Sequence, residues 1–159
     1  MLEGFTNSDM SGDVDSNRST LGYVMTCAGE AMSCQSKLQK VVALSTTEAK
    51  CMAAVEAGKE FIWMRDFLSE LGMKQDKFLL HCDNQSAIHL AKNANYHSHT
   101  KHIQRRYHWL QEKVNDNDFA LVKIHTYENG SDMLTKALPM EKHIACRTRA
   151  SLVDSHIKE

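Results

Sequence analysis

A single proline, Pro139, punctuates the 159 residues, so turns must come from clusters of Gly, Asn, Asp and Ser. Long apolar runs are missing as well. None approaches a membrane span, and no signal or transit pattern opens the chain. Neither sign of charge prevails: 19 Lys and Arg against 20 Asp and Glu leave a net charge of −1. Bulk attraction to nucleic acid is thereby excluded, and any such binding must come from a local patch. The five cysteines (Cys27, Cys34, Cys51, Cys82, Cys146) are odd in number and include no CxxC pair. They read as reduced intracellular thiols rather than a disulfide frame or a zinc site. Repeats and low-complexity segments are also absent.

What is present is one ordinary domain, 42% hydrophobic and 25% charged, long enough to bury a core. The expected division is a domain over 1–153 and a tail over 154–159. An abrupt strand-like start suggests a domain cut from a longer polyprotein or a truncated reading frame. Three strands are expected over 2–6, 20–27 and 31–36, with Gly22 marking a close backbone approach or a bulge. Ser45-Thr46-Thr47-Glu48 has the form of a capping box. The helix it opens runs to about Leu71, with Ala53, Ala57, Phe61, Met64, Leu68 and Leu71 as its buried stripe.

A buried strand from Phe78 then delivers Cys82 and Asp83 to the start of a helix over Asn84 to Ala91. A helix over 100–115, a fifth strand over 119–125, a short helix over 133–138 and a last helix over 140–153 complete the order. Three meandering strands followed by two that alternate with helices predict an α/β fold. Its mixed five-stranded sheet has three antiparallel strands and then two parallel ones, with helices on both faces.

Four acidic positions fall at comparable places in this order: Asp9 beside Asn7, Glu48 in the first turn of the long helix, Asp83 and Asp132. Oxygen ligands so gathered suit two Mg²⁺ ions about 3.5–4 Å apart, activating water for phosphodiester cleavage. The plainer reading makes each acid a helix cap, a dipole complement or a loop residue.

Six blocks decide between these readings: GFTNSDMSGD (4–13), STLGYV (19–24), QSKLQKVVALSTTEA (35–49), CDNQSAI (82–88), HTKHIQRRYHW (99–109) and SDMLTKALP (131–139). In this order and spacing, the chain resembles the ribonuclease H domain of copia-type LTR retrotransposon polyproteins, particularly those of plants. The resemblance implies the ribonuclease H fold and hydrolysis of the RNA strand of RNA–DNA hybrids during reverse transcription. It also implies Mg²⁺ as cofactor, with Mn²⁺ as the alternative ion, and the reverse transcriptase domain of the same polyprotein as partner. The location it implies is cytoplasmic, in a virus-like particle if the element is active. Its catalytic, metal-binding acids map to Glu48, Asp83 and Asp132.

The first aspartate of the pattern falls on Asn7. A neutral amide there removes charge that both ions need, and Asp9, about 6–7 Å further along the strand, is a poor direct replacement. Hydrolysis is therefore expected to be impaired. The alternatives are a nuclease-dead nucleic-acid-binding module or a structural relic of the polyprotein. Further departures from the pattern stand at Cys34, Lys50, Cys51 and Gly130, of which Lys50 puts a positive charge near Glu48. For the hybrid, the candidate contacts are Lys37, Lys40, Asn84, Gln85, Lys101, His102, Arg105 and Arg106, read through backbone shape rather than sequence. A solvated helix face is the plainer account of the same charges. His97, His99 and His102 lack the spacing of a structural zinc site, and His125 reads as a satisfied strand-end side chain.

Overall fold

A computed structural model describes residues 1–93 and 101–152. In chain order the strands and helices are β1 (Leu2–Ser8), β2 (Thr20–Cys27), β3 (Glu30–Leu38), α1 (Thr46–Glu70), β4 (Phe78–Cys82), α2 (Gln85–Lys92), α3 (Lys101–Asn115), β5 (Ala120–Lys123) and α4 (Met140–Arg149). The five strands form one sheet in the order β3-β2-β1-β4-β5. β1, β2 and β3 are antiparallel, and β1–β4 and β4–β5 are parallel. This is the mixed sheet that the order of elements predicts.

Two glycines show how the sheet is covered. A Cβ on Gly4 would stand 2.8 Å from Leu80 Cδ1 and 3.0 Å from Phe61 of α1, so even-numbered residues of β1 face the helix. Gly22 pairs with Asn7 on the other face, where a Cβ would stand 2.7 Å from Leu134 Cβ. Gly22 therefore marks a close approach, while the register shift lies in the β2–β3 pair, between Met25 and Thr26. α1 is buried on several sides through Gly58: Ala49 and Met52 pack with Ala43 and Val41, Cys51 faces the Ala87 carbonyl of α2, and Gly58 lies against Phe119 and Trp109. Ala53, Ala57, Phe61, Met64 and Leu68 are buried, but Leu71 is 60% exposed: it is the C-cap residue, past the last helical turn.

The capping box appears as expected, with the Ser45 hydroxyl accepting the Glu48 N–H at 3.1 Å. Several boundaries differ from expectation, β3 and β5 among them, and three bear on the site or the chain around it. β1 continues to Ser8, so Asn7 is a paired strand residue and not the start of a loop. The short helix expected over 133–138 is instead a 3-10 turn at Gly130–Leu134. Its carbonyl at Asp132 accepts both the N–H and the hydroxyl of Thr135, at 3.2 and 3.0 Å, which closes the turn before an α-helix can form. α4 ends at Arg149, followed by Ser151 at φ 54. His97, His99, the boundary at Val153 and the tail over 154–159 lie outside the described residues.

Candidate functional site

The last ladder pair of β1 and β4 is Thr6 with Cys82. One residue further on, Asn7 and Asp83 emerge side by side at the carboxyl ends of parallel strands, where open α/β sheets present their ligands. Asn84, not Asp83, caps α2: its side chain accepts the Ala87 N–H at 2.7 Å. Asp83 is thereby left to a different partner. The Lys50 ammonium, projecting from α1, stands 2.5 Å from Asp83 Oδ1 and 2.7 Å from Asn7 Oδ1. Both ends of this pair are enclosed, the Lys50 and Asp83 side chains being 11% and 4% exposed. Lys123 Nζ also donates to the Asp83 carbonyl.

Asn7 is 1% exposed, and both ends of its amide are bonded. Its Oδ1 accepts from Lys50 and from the Ser8 N–H at 2.8 Å, and its Nδ2 donates to Asp132 Oδ1 at 2.8 Å. Asp132 is brought there by Asn129, which is buried in the turn. The Asn129 Nδ2 donates to the Thr6 carbonyl at 3.0 Å and its Oδ1 accepts the Ser131 N–H and hydroxyl at 3.2 and 2.6 Å. Asp132 itself has no exposed surface, yet two ammonium groups reach it, Lys136 at 2.8 Å from Oδ1 and Lys142 at 2.5 Å from Oδ2. Burial pushes its carboxyl up, but the two lysines outweigh burial and hold it below the usual carboxylate value.

Lys50 thus joins Asn7 to Asp83, and the Asn7 amide nitrogen brings Asp132 into the same network. Glu48 is buried in the first turn of α1 with no hydrogen-bond partner at Oε1, and burial raises its carboxyl above the usual value. Asp9 is turned away to the loop, where its Oδ1 accepts the Thr20 N–H at 2.5 Å. His125 caps the Thr126–Glu128 turn and stacks on Tyr127.

The basic residues separate into two groups. Lys37, Lys40 and Arg106 meet Lys59 around a cleft of about 170 Å³ beside Gln39. Glu56 shares that cleft and pairs with Lys37 at 3.1 Å and Lys59 at 3.0 Å. Lys101, His102 and Arg105 lie exposed on α3, and Gln85 is exposed at the start of α2. The amide of Asn84 is occupied by its capping bond.

Lys136 and Lys142 were not singled out from the sequence. Lys136 carried a signal, standing four residues after Asp132. Lys142 carried none, since only the reversal of chain at Pro139 brings α4 back to the turn.

No protein-family model matches the chain. Its sequence is 53% identical over 147 residues to the retrovirus-related Pol polyprotein from transposon TNT 1-94 of Nicotiana tabacum, covering 92% of this chain. It is 33% identical over 138 residues, 86% of this chain, to that from transposon RE2 of Arabidopsis thaliana. Among solved structures, LC11-RNase H1 in complex with RNA/DNA hybrid superposes with a TM-score of 0.62 at 12% identity, covering 85% of this chain and 94% of that one. The chain is a ribonuclease H-like domain of the plant retrotransposon Pol family. It spans 11% and 10% of the two polyproteins. The foamy viral protease-reverse transcriptase in complex with RNA/DNA hybrid shares the fold, with a TM-score of 0.54 at 12% identity over 90% of this chain and 20% of that one.

Ribonuclease H-like domains generally depend on divalent metal. The residues of this domain do not fit such ions. Asn7 is neutral, Asp83 Oδ1 is held by an ammonium group, and both oxygens of Asp132 face lysines. Among the described residues, no three His, Cys, Asp or Glu side chains converge to hold a metal. No helix among them is long and apolar enough to cross a membrane.

Proposed function

We propose that this ribonuclease H-like domain binds RNA–DNA hybrids but does not hydrolyse the RNA strand efficiently. The observation that carries the reading is the Lys50 ammonium bonded to both Asn7 Oδ1 and Asp83 Oδ1. Hydrolysis on this fold needs unpaired carboxylates to gather metal and orient water, and here Asp83 and Asp132 are bonded to amide and ammonium groups. The likeness to retrotransposon Pol supplies the substrate class, and two solved neighbours of the same fold are complexes with RNA/DNA hybrid.

Binding rests on phosphate contacts from the Lys40, Lys59 and Arg106 cleft and from Lys101 and Arg105 on α3. In this reading the hybrid is presented by the reverse transcriptase domain of the same polyprotein, in a cytoplasmic particle. Fluorescence anisotropy with a labelled RNA–DNA hybrid, beside a DNA duplex of the same sequence, tests the binding half. Saturable hybrid binding that weakens with salt is expected. No binding at low salt would overturn the reading.

A further inference from the structure

Carboxylates enclosed at the carboxyl ends of neighbouring strands need a positive charge between them or a proton upon them. Here the positive charge is part of the chain. We infer that the Lys50 ammonium is a built-in cation occupying the place of a divalent ion, so that the site holds together without metal, and that positions 7 and 50 work as a matched pair. This rests on the reading of Asn7, Asp83 and Asp132 as the ribonuclease H cluster.

The bond pattern shows the matching. An ammonium group offers three donors and no acceptor, and it takes its acceptors from Asn7 Oδ1 at 2.7 Å and Asp83 Oδ1 at 2.5 Å. Magnesium–oxygen bonds are shorter, about 2.0–2.1 Å, and converge on carboxylates rather than on one acid and one amide. Asn7 answers the ammonium with its oxygen and Asp132 with its nitrogen. The Ser8 N–H, also on Oδ1, fixes the amide in this orientation.

Neither partner serves alone. A carboxylate at position 7 would place an oxygen where Asn7 Nδ2 now stands, 2.8 Å from Asp132 Oδ1. An uncharged side chain at position 50 would leave Asp83, 4% exposed, without its cation. Reversion of Asn7 by itself therefore leaves Lys50 in the metal's place.

The test is a Mn²⁺ titration of the whole chain followed by electron paramagnetic resonance, with thermal melts in EDTA and in Mg²⁺. The wild type is expected to take up no Mn²⁺ saturably and to melt at the same temperature in both buffers. Asn7→Asp should behave likewise toward Mn²⁺, while Asn7→Asp with Lys50→Met should bind it at least tenfold more tightly and gain Tm as Mn²⁺ is added. The inference is overturned by saturable Mn²⁺ binding of the wild type that Asp83→Asn abolishes, by a wild-type Tm that depends on Mg²⁺, or by Asn7→Asp alone binding as tightly as the double variant.

Should the double variant not fold, as judged by circular dichroism, the wild-type comparison decides, since a Mg²⁺-dependent Tm there is sufficient refutation. Lys50→Arg keeps the charge and should retain more stability in EDTA than Lys50→Met, which separates cation from packing. Hybrid affinity is read separately. A chain indifferent to metal that binds no hybrid would defeat the functional reading and leave the cation assignment standing.

Discussion

Asn7 and Asp132, 125 residues apart, meet at 2.8 Å with the amide nitrogen donating to the carboxylate. An aspartate at position 7 can make this contact only when protonated. Asn7→Asp should therefore destabilise the domain near neutral pH by about 1.5–3 kcal/mol, the worth of a hydrogen bond to a charged group. At about 2–4 °C per kcal/mol, the loss is readable in a thermal melt. A carboxyl whose folded pKa is raised loses stability as pH rises through that pKa. The deficit should accordingly shrink as the melt is moved toward acid.

Asn129 holds the Gly130–Leu134 turn to β1 through the Thr6 carbonyl and satisfies Ser131 with its other end. Asn129→Ala leaves these buried groups unpaired. A loss of about 2–4 kcal/mol is expected from stranding more than one of them, measured as a lowered urea midpoint at unchanged m-value.

Glu56 divides the basic cleft against itself, pairing with Lys37 and Lys59. Glu56→Gln should strengthen hybrid binding, whereas Lys40→Ala and Arg106→Ala should weaken it. Removing one phosphate-binding side chain should flatten the slope of log affinity against log salt by about 0.9, the value for duplex DNA. Anisotropy titrations at several salt concentrations read both effects.

Asp118 ties α1 to α3, accepting from Arg65 at 2.7 Å and pairing with Lys113 at 3.1 Å. The Arg65 guanidinium, ahead of the opposing effect of burial, holds its carboxyl below the ordinary 3.8. Stability from such a group is present above 3.8 and is lost as pH falls through the lower folded value. Asp118→Asn should lower Tm at neutral pH, and the gap to wild type should close in strong acid.

Much of the scaffold was legible because its signals are local. The Ser45 cap, the apolar spacing of α1 and α3 and the meander of the first three strands each lie within one element or between neighbours in sequence. The 3-10 turn was not legible, since Gly22, distant in sequence, supplies the room into which Leu134 packs. The same holds for the site. Asn7, Asp83 and Asp132 could be named from motif spacing, but the bond from Lys50 to two strand ends depends on where α1 crosses the sheet. In sequence Lys50 stands out as a departure from the pattern with its charge expected near Glu48, whereas the fold carries its ammonium to Asn7 and Asp83.

In the proposed function, Asn7 and Lys50 together silence a ribonuclease H site on a domain that still holds its hybrid. Cleavage of a labelled RNA strand in an RNA–DNA hybrid, in Mg²⁺ and in Mn²⁺, tests it most directly. The wild type and Asn7→Asp should leave the strand intact, and Asn7→Asp with Lys50→Glu should cut it. Cutting by the wild type that disappears in Asp83→Asn would contradict the proposed silencing.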